Sequence, residues 1–460
     1  MIKTFVVASI AAAAAATRLN SRLEQILAQL GVENESEKTC LSTANRNKEE
    51  VDNFYELLAS HKVYSDDDFT PDASAIWWSN IDTADGEINK IQISWKRATD
   101  LKPKHTLFGK GISPDDIIQG NVSNCWFLAA ACSIADVDPG LVEKAFHNRS
   151  NDLNAAGVYA VDFYTLGVPH TVVVDDFLPM TKSEETSSLA NTFASVGPDQ
   201  SLWGAILEKA FAKLVGNYLH TPWGMMANGV RRIMGGPYES FHHPDSNADS
   251  LWKELIAHED SQDVLTAGTG GGVDTETNEF GLVLGHAYSV LGTKELSNGV
   301  RLVKIRNPWG EETFTGAWSD NSDKWTGELA KEAGLNVNEW DGIFYMSIED
   351  YAKQFETTQI NYNTKGMHQA SFVRLNDDKT GADECGYWEG PKCGRHTLEL
   401  TSEVDQTVWI TAHTWDARTL PENCQTMEGV HQVLLDGQEV NDSNYWDISF
   451  SSGSLELAPM

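Results

Sequence analysis

The chain has 460 residues, 41% of them hydrophobic and 22% charged, a composition typical of a soluble globular protein with room for about three compact units. Lys and Arg number 34 against 67 Asp and Glu, giving a formal charge of −33. Such an acidic chain repels phosphate backbones and anionic lipid, which argues against nucleic acid as a partner.

At the N-terminus Lys3 precedes an uncharged run from Phe5 to Ala16. The run falls short of the ~20 residues a spanning helix needs, but it matches the apolar region of a secretory signal. Residues 1–17 are therefore expected to be a signal peptide, sending the protein to the endomembrane lumen or the exterior; an Ala-rich helix on a cytoplasmic protein is the alternative. No other stretch reads as an integral membrane span. Export would let Cys385, Cys393 and Cys424 oxidise in some pairing and would open the sequons at Asn34, Asn148 and Asn441 to glycosylation.

Residues 18–61 read as a helical, pro-like segment or a decoration, with Leu23, Ile26, Leu27 and Leu30 at helical spacing and a second helix over Glu49–Leu58. Lys90–Leu101 predicts a strand entering a turn. A helix rich in small residues starts near Asn124, strands follow at Gly157–Phe163 and His170–Val174, and Ser201–Leu214 is an amphipathic helix. From Ala267 the pattern turns β-rich, with strands at Gly285–Gly292 and Val300–Arg306. Pro and Gly in Thr221–Gly236 mark a boundary between a mostly helical and a mostly β half. Past Met367, short alternating runs at His396–Leu400, Thr407–His413, Gln432–Leu435 and Trp446–Phe450 predict an antiparallel β-sandwich over 368–460. No internal repeat is visible.

The stretch Gln119-Gly-Asn-Val-Ser-Asn-Cys-Trp126 sets Cys125 at the first turn of a helix. Unpaired amides and the helix dipole there are expected to lower a thiol's pKa and make it a nucleophile. The plainer reading is a small buried cysteine, which is the one adopted for Cys132. A thiol nucleophile needs a base. Among 13 histidines His286 stands out, set between small neighbours in Gly285-His-Ala-Tyr-Ser-Val290, just before a buried strand. A hairpin-sized segment further on, the strand Val303–Arg306 ends in Asn307-Pro-Trp-Gly310. Adjacent strands would bring the Asn307 amide oxygen to the far ring nitrogen of His286, leaving the near nitrogen for the thiol. Trp309 is placed to cover that hydrogen bond and exclude water. A satisfied core histidine and a plain Asn-Pro turn are the structural alternatives.

These stretches together resemble the catalytic domain of the calpains, the papain-related cysteine proteases. The likeness runs from about Tyr64 to Phe355 through Trp95–Leu101, Gln119–Trp126, Val173–Pro179, Trp203–Lys213, Gly285–Val290, Arg306–Gly310 and Thr315–Asp320, in the same order. It implies an α+β fold: a papain-like two-lobed core over 62–357, with lobes about 62–225 and 226–357, followed by a shortened calpain-type β-sandwich. It implies Cys125 as nucleophile, His286 as base and acid, Asn307 as orienting amide and Gln119 as oxyanion donor. Protein or peptide substrates follow, with no cofactor required for the chemistry.

Calcium is implied as an activator, with Gly109, Gly111 and Asp116 at ligand positions in the first lobe and Asp320 and Asp341 in the second. This chain departs from the family there. Ser201 replaces a Glu, Thr313 and Ile343 replace acidic ligands, and Pro114 stands where Arg is common, so weaker binding is expected. No EF-hand loop occurs, since Asp274–Gly281 lacks the glycine at its sixth position. Two further function classes compete: a catalytically silent scaffold that binds partners through its sandwich, and an amine-directed acyltransferase. Asn307 favours proteolysis over the latter, which commonly uses Asp. The oligomeric state is not legible.

Overall fold

The computed structural model describes residues 47–365, apart from 78–91, 102–103, 166–167, 183–188 and 338–340, and beyond them strands at 4–7, 368–370, 396–400, 408–411, 431–435, 438–441, 447–450 and 453–459. The expected helix over 19–30, the sequon at Asn34 and the cysteines at 385, 393 and 424 lie outside the described residues. The chain divides into a larger unit, Asn47–Phe163 with His170–Asn363, and a smaller one made of Met1–Arg46, Tyr164–Pro169 and Thr364–Met460.

In the smaller unit β1 (Thr4–Val7), inside the expected leader, runs parallel to both His368–Ala370 and Val408–Thr411, and Asp447–Phe450 is antiparallel to the latter. A second four-stranded sheet sets Gly453–Pro459 between His396–Leu400 and His431–Leu435, with Gln438–Asn441 at its far edge.

The larger unit includes α1 (Asn47–Ser60), N-terminal to the expected catalytic domain and packed onto its core. Phe54 of α1 is fully buried against Ala156, Val158, Ala160 and Val173, and the Tyr55 hydroxyl lies 3.1 Å from His147 Nδ1. Next come β2 (Ser94–Arg97), α2 (Cys125–Val137) and α3 (Pro139–Ala145). Two strands, β3 (Val158–Thr165) and β4 (Val168–Asp175), pair with each other, and β5 (Phe177–Lys182) lies between β2 and β6 (Leu189–Asn191). Helix α4 (Trp203–Val215) holds this half together through Lys209, fully buried, which forms an ion pair with Asp175 and donates to the Phe177 carbonyl at 2.7 Å.

The stretch read as the boundary between the two halves contains a helix, α5 (Met226–Met234). Met226, Ala227, Val230, Ile233 and Met234 share its buried side, while its glycines serve packing and termination. A Cβ on Gly229 would lie 2.9 Å from the Ala130 Cβ, so the glycine lets α5 approach α2 closely, and Gly235 ends the helix at φ 73°. The remaining elements, β7 (Tyr238–His242), α6 (Ala248–Asp260), β8 (Val264–Gly268), β9 (Ala287–Glu295), β10 (Arg301–Arg306), α7 (Gly327–Ala333), β11 (Ile343–Ser347), α8 (Ile348–Gln354) and β12 (Thr357–Asn361), include an antiparallel six-stranded sheet ordered β11-β10-β9-β8-β12-β7.

Helix α2 is the centre of the unit. Cys125 through Ala135 are all buried, which its run of small residues permits and its lack of a polar face requires. It is hydrogen-bonded onto the six-stranded sheet, Ser289 Oγ donating to the Ala129 carbonyl and Ser133 Oγ to the Leu265 carbonyl, each at 2.8 Å.

In the fold the Asn148 side chain of the second sequon is buried and doubly hydrogen-bonded. Its buried amide donates to the Val158 carbonyl at 3.0 Å and accepts from the Ala160 N–H at 3.1 Å. Among the described residues no helix is long and apolar enough to cross a membrane.

Candidate active site

Cys125 is the first residue of α2 and stands 7% exposed on the wall of a cavity of about 300 Å³, shared with His286, Ala287 and Trp126. The backbone N–H groups of Ala287, Trp126 and Cys125 itself reach the sulfur and favour the thiolate, but burial outweighs them and pushes the thiol up to about 11. The lowered thiol pKa expected from its place at a helix start is therefore overturned. Solvent that would stabilise the anion is excluded by Trp126 and the second-half sheet, and the field of Asp274 acts in the same direction as burial.

The residue before Cys125 is held from behind. Asn124 makes no side-chain cap; its amide donates instead to Glu208 Oε1 at 2.7 Å, while Glu208 Oε2 accepts from the Ala194 N–H at 2.8 Å. Glu208 is fully buried on α4, and burial raises its carboxyl to about 7 against these hydrogen bonds.

His286 immediately precedes β9, and Asn307 immediately follows β10. The two strands are antiparallel with Arg306 opposite Ser289, and this register brings the two side chains together. His286 Nε2 lies 2.9 Å from Asn307 Oδ1, which also accepts from the Trp309 N–H at 3.1 Å. Only an oxygen can accept from both, so Nε2 carries the imidazole proton and Nδ1 is the basic nitrogen. Nδ1 is buried and has no hydrogen-bond partner among the described residues. The ring is held from several sides: the His286 N–H donates to Thr269 Oγ1 at 3.0 Å, Tyr288 meets the ring edge-on at 4.9 Å between centroids, and the Trp309 ring tilts over it at 4.9 Å. Burial, opposed by the Asn307 hydrogen bond and the field of Asp274, lowers the imidazole to about 4. Thiol and imidazole are thus both neutral near pH 7.

Gln119 lies beside this group. Its N–H donates to the Pro308 carbonyl at 2.8 Å, and its Nε2 donates to the Val122 carbonyl at 2.8 Å, leaving a second amide hydrogen. The halves are further joined by Arg306, whose buried guanidinium donates to the Ile117 carbonyl at 2.8 Å, to the Asp341 carbonyl at 2.9 Å and to Cys132 Sγ at 3.5 Å. Cys132 is fully buried, as read from the sequence. Sequence reasoning missed Thr269, Glu208 and Arg306. The charges at 208 and 306 within otherwise apolar periodic stretches are the signal that could have found the last two.

Several oxygens at the positions considered for calcium already accept hydrogen bonds. Asp116 Oδ2 already accepts from the Ser113 N–H at 2.9 Å and Trp203 Nε1 at 2.8 Å, and burial raises its carboxyl, favouring the proton. The Gly109 carbonyl accepts from Asn151 Nδ2 at 2.8 Å, and the carboxylate packed against Gly109 is that of Asp199, which caps the N–H groups of Lys110 and Ser201. Gly111 lies in the same turn at φ 150°. In the other half Asp341 Oδ1 accepts from the Ile343 N–H at 2.9 Å beside the Arg306 cation, and the Asp320 N–H donates to Glu312 at 3.1 Å. Among the described residues no group of three His, Cys, Asp or Glu side chains is placed to hold a metal ion.

A cysteine on a helix start, a histidine and an asparagine sharing a hydrogen bond across a β-hairpin, and one cavity open to thiol and imidazole define the thiol-protease class of site. The model of the calpain family cysteine proteases matches residues 64–362, and the chain belongs to that family. It is 28% identical over 319 residues to the calpain-type cysteine protease ADL1 of Oryza sativa subsp. japonica, covering 66% of this chain and 14% of that one. It is 29% identical over 375 residues to calpain-8 of Rattus norvegicus, covering 76% of this chain and 52% of that one. The chain thus spans about half the length of these relatives or less. The solved recombinant stem bromelain precursor aligns over 78% of this chain and 100% of its own at 12% identity, with a TM-score of 0.21, too loose an overlap to argue from.

Proposed function

We propose that this chain is a cysteine endopeptidase that cleaves peptide bonds through Cys125, His286 and Asn307. The observation that carries the reading is the unpartnered Nδ1 of an imidazole tied at Nε2 to Asn307, lining one cavity with the Cys125 thiol.

Because both groups are neutral, attack and proton transfer go together. The Cys125 sulfur bonds to the substrate carbonyl carbon as its proton passes to His286 Nδ1, and Asn307 Oδ1 steadies the imidazolium through Nε2–H. The oxyanion receives the Cys125 backbone N–H and the second amide hydrogen of Gln119. Imidazolium then protonates the departing amine, leaving a thioester. Water gives its proton to Nδ1, attacks the thioester and releases the acid, and the proton returns to sulfur. Trp309 covers the ring and keeps water from competing for Nε2.

Asp116 Oδ2, the Gly109 carbonyl and Asp341 Oδ1 already accept hydrogen bonds, which supports chemistry without the ion. The β-strands past residue 367 are consistent with a calpain-type sandwich, and the leader-like residues 1–17 with entry to the secretory pathway.

The test is labelling with an electrophilic thiol-directed peptide, alongside casein hydrolysis. Wild type is expected to label at one site and to cleave. Cys125→Ala is expected to do neither while keeping the wild-type circular dichroism spectrum. Persistent cleavage by that variant would overturn the nucleophile assignment.

A further inference from the structure

Resting on the protease reading above, we propose that Asp274, with Trp223, selects substrates carrying a cationic side chain next to the scissile bond. Among the described residues, Asp274 is the one carboxylate lining the cavity that holds Cys125 and His286. It is partly exposed and, among the described residues, takes part in no hydrogen bond or ion pair, unlike Asp116, Asp175 and Asp176, whose oxygens are all engaged. Its field reaches both the Cys125 sulfur and the His286 ring, so it stands close to the reacting atoms.

Trp223, a residue 54% exposed, lines the same cavity, held at φ 60° by a loop in which its N–H donates to the Ser123 carbonyl at 3.1 Å. A carboxylate that no described residue engages receives a guanidinium or ammonium by a charge-assisted hydrogen bond, and a partly exposed indole beside it adds cation–π attraction. The rest of the wall is apolar or neutral, including Trp126, Met226 and Ala287, so a carboxylate on the substrate finds no cation there and meets repulsion from Asp274.

The chemistry identifies the substrate class as Arg- or Lys-containing peptides, with the cationic residue within a position or two of the cleaved bond. The backbone supports this loop in place: Gly272, at φ 79°, would bring a Cβ to 2.8 Å from Glu276 Oε2, and the Glu276 N–H donates to the Val273 carbonyl at 2.9 Å, closing a tight turn around Asp274.

The experiment uses the full chain and a set of quenched fluorescent peptides in which each position flanking the cleaved bond carries in turn Arg, its neutral isostere citrulline, or Glu. For wild type we expect kcat/KM at one position to favour Arg over citrulline by about 10-fold, ~1.4 kcal/mol, at low salt, and to rank Glu last. Asp274→Asn is expected to bring the Arg to citrulline ratio within about 2-fold, Asp274→Glu to keep it, and Trp223→Ala to lower it partway. A wild-type ratio near one at every position overturns the proposal, as does a ratio that Asp274→Asn leaves intact. Cleavage without charge discrimination sinks this inference alone, whereas a wild-type chain that neither labels nor cleaves any peptide sinks the protease reading with it.

Discussion

Asn307→Asp tests the geometry around the base directly, because it changes one atom and adds a charge 2.9 Å from His286 Nε2. At that separation and an effective dielectric of ~20, a carboxylate and an imidazolium attract by about 6 kcal/mol. Desolvating the new carboxylate consumes several kcal/mol. A net of ~3 kcal/mol raises the imidazole by about 2 pH units, from about 4 towards ~6. On the proposed route His286 acts as a neutral base, so raising its pKa protonates it over a wider acid range and activity between pH 4 and 6 is lost. The acid limb of kcat/KM against pH, followed with a fluorogenic peptide, should therefore move up by about 2 units, with activity at pH 5 near a tenth of its plateau. Asn307→Ala acts in the opposite sense on the limb, since the hydrogen bond it removes is one that raises the imidazole. It also leaves Nε2–H buried and unpaired, a loss of ~1–3 kcal/mol that lowers the plateau roughly 10- to 100-fold. If both variants keep the wild-type acid limb, His286 is not the titrating base and the proton route given above is wrong.

Gln119→Ala removes one of two oxyanion donors and is expected to cut kcat by ~10²–10³ with KM little changed, measured by steady-state hydrolysis; an equal change confined to KM would make Gln119 a binding residue. Titrating hydrolysis against a calcium chelator should leave the rate unchanged, because the halves are already joined by Arg306, Ser289 and Gln119; full loss of activity in chelator, restored by added calcium, would refute that. Glu208 has its carboxyl raised from 4.5 to about 7, so the native state holds this proton more tightly than the unfolded chain does. Its contribution is most favourable below about pH 4.5 and is lost as pH climbs through 7, by about 3 kcal/mol. Thermal unfolding of Glu208→Gln should consequently gain on wild type between pH 5 and pH 8, and parallel curves for the two proteins would exclude the raised carboxyl.

Local pattern carried a good deal of this architecture. The small-residue helix after Asn124 and the hairpin ending in Asn307 are readable because periodicity and turn length are local properties, and the hairpin's antiparallel register is what sets His286 beside Asn307. Local pattern failed where the outcome depends on distant surroundings. The thiol at a helix start reads as acidified, yet the sheet laid over Cys125 removes the solvent that would stabilise the anion. Pro and Gly around Thr221–Gly236 give no hint of the helix between them, in which Gly229 leaves the space that Ala130, a hundred residues earlier, occupies. Phe54 looks like one apolar residue in a peripheral helix until β3 and β4 close over it. Arg306 shows its charge within an apolar strand, but the carbonyls that receive it, those of Ile117 and Asp341, come from distant parts of the chain.

Helix α2 has its nucleophile at one end and no face turned to water along most of its length. It behaves like an axle that both halves of the larger unit grip. Cutting the gene at the midpoint would hand one fragment an oily rod with nothing to wrap it and the other a sheet with its inner surface stripped. New specificities are therefore more safely sought by rebuilding the rim of the cavity than by exchanging halves between relatives.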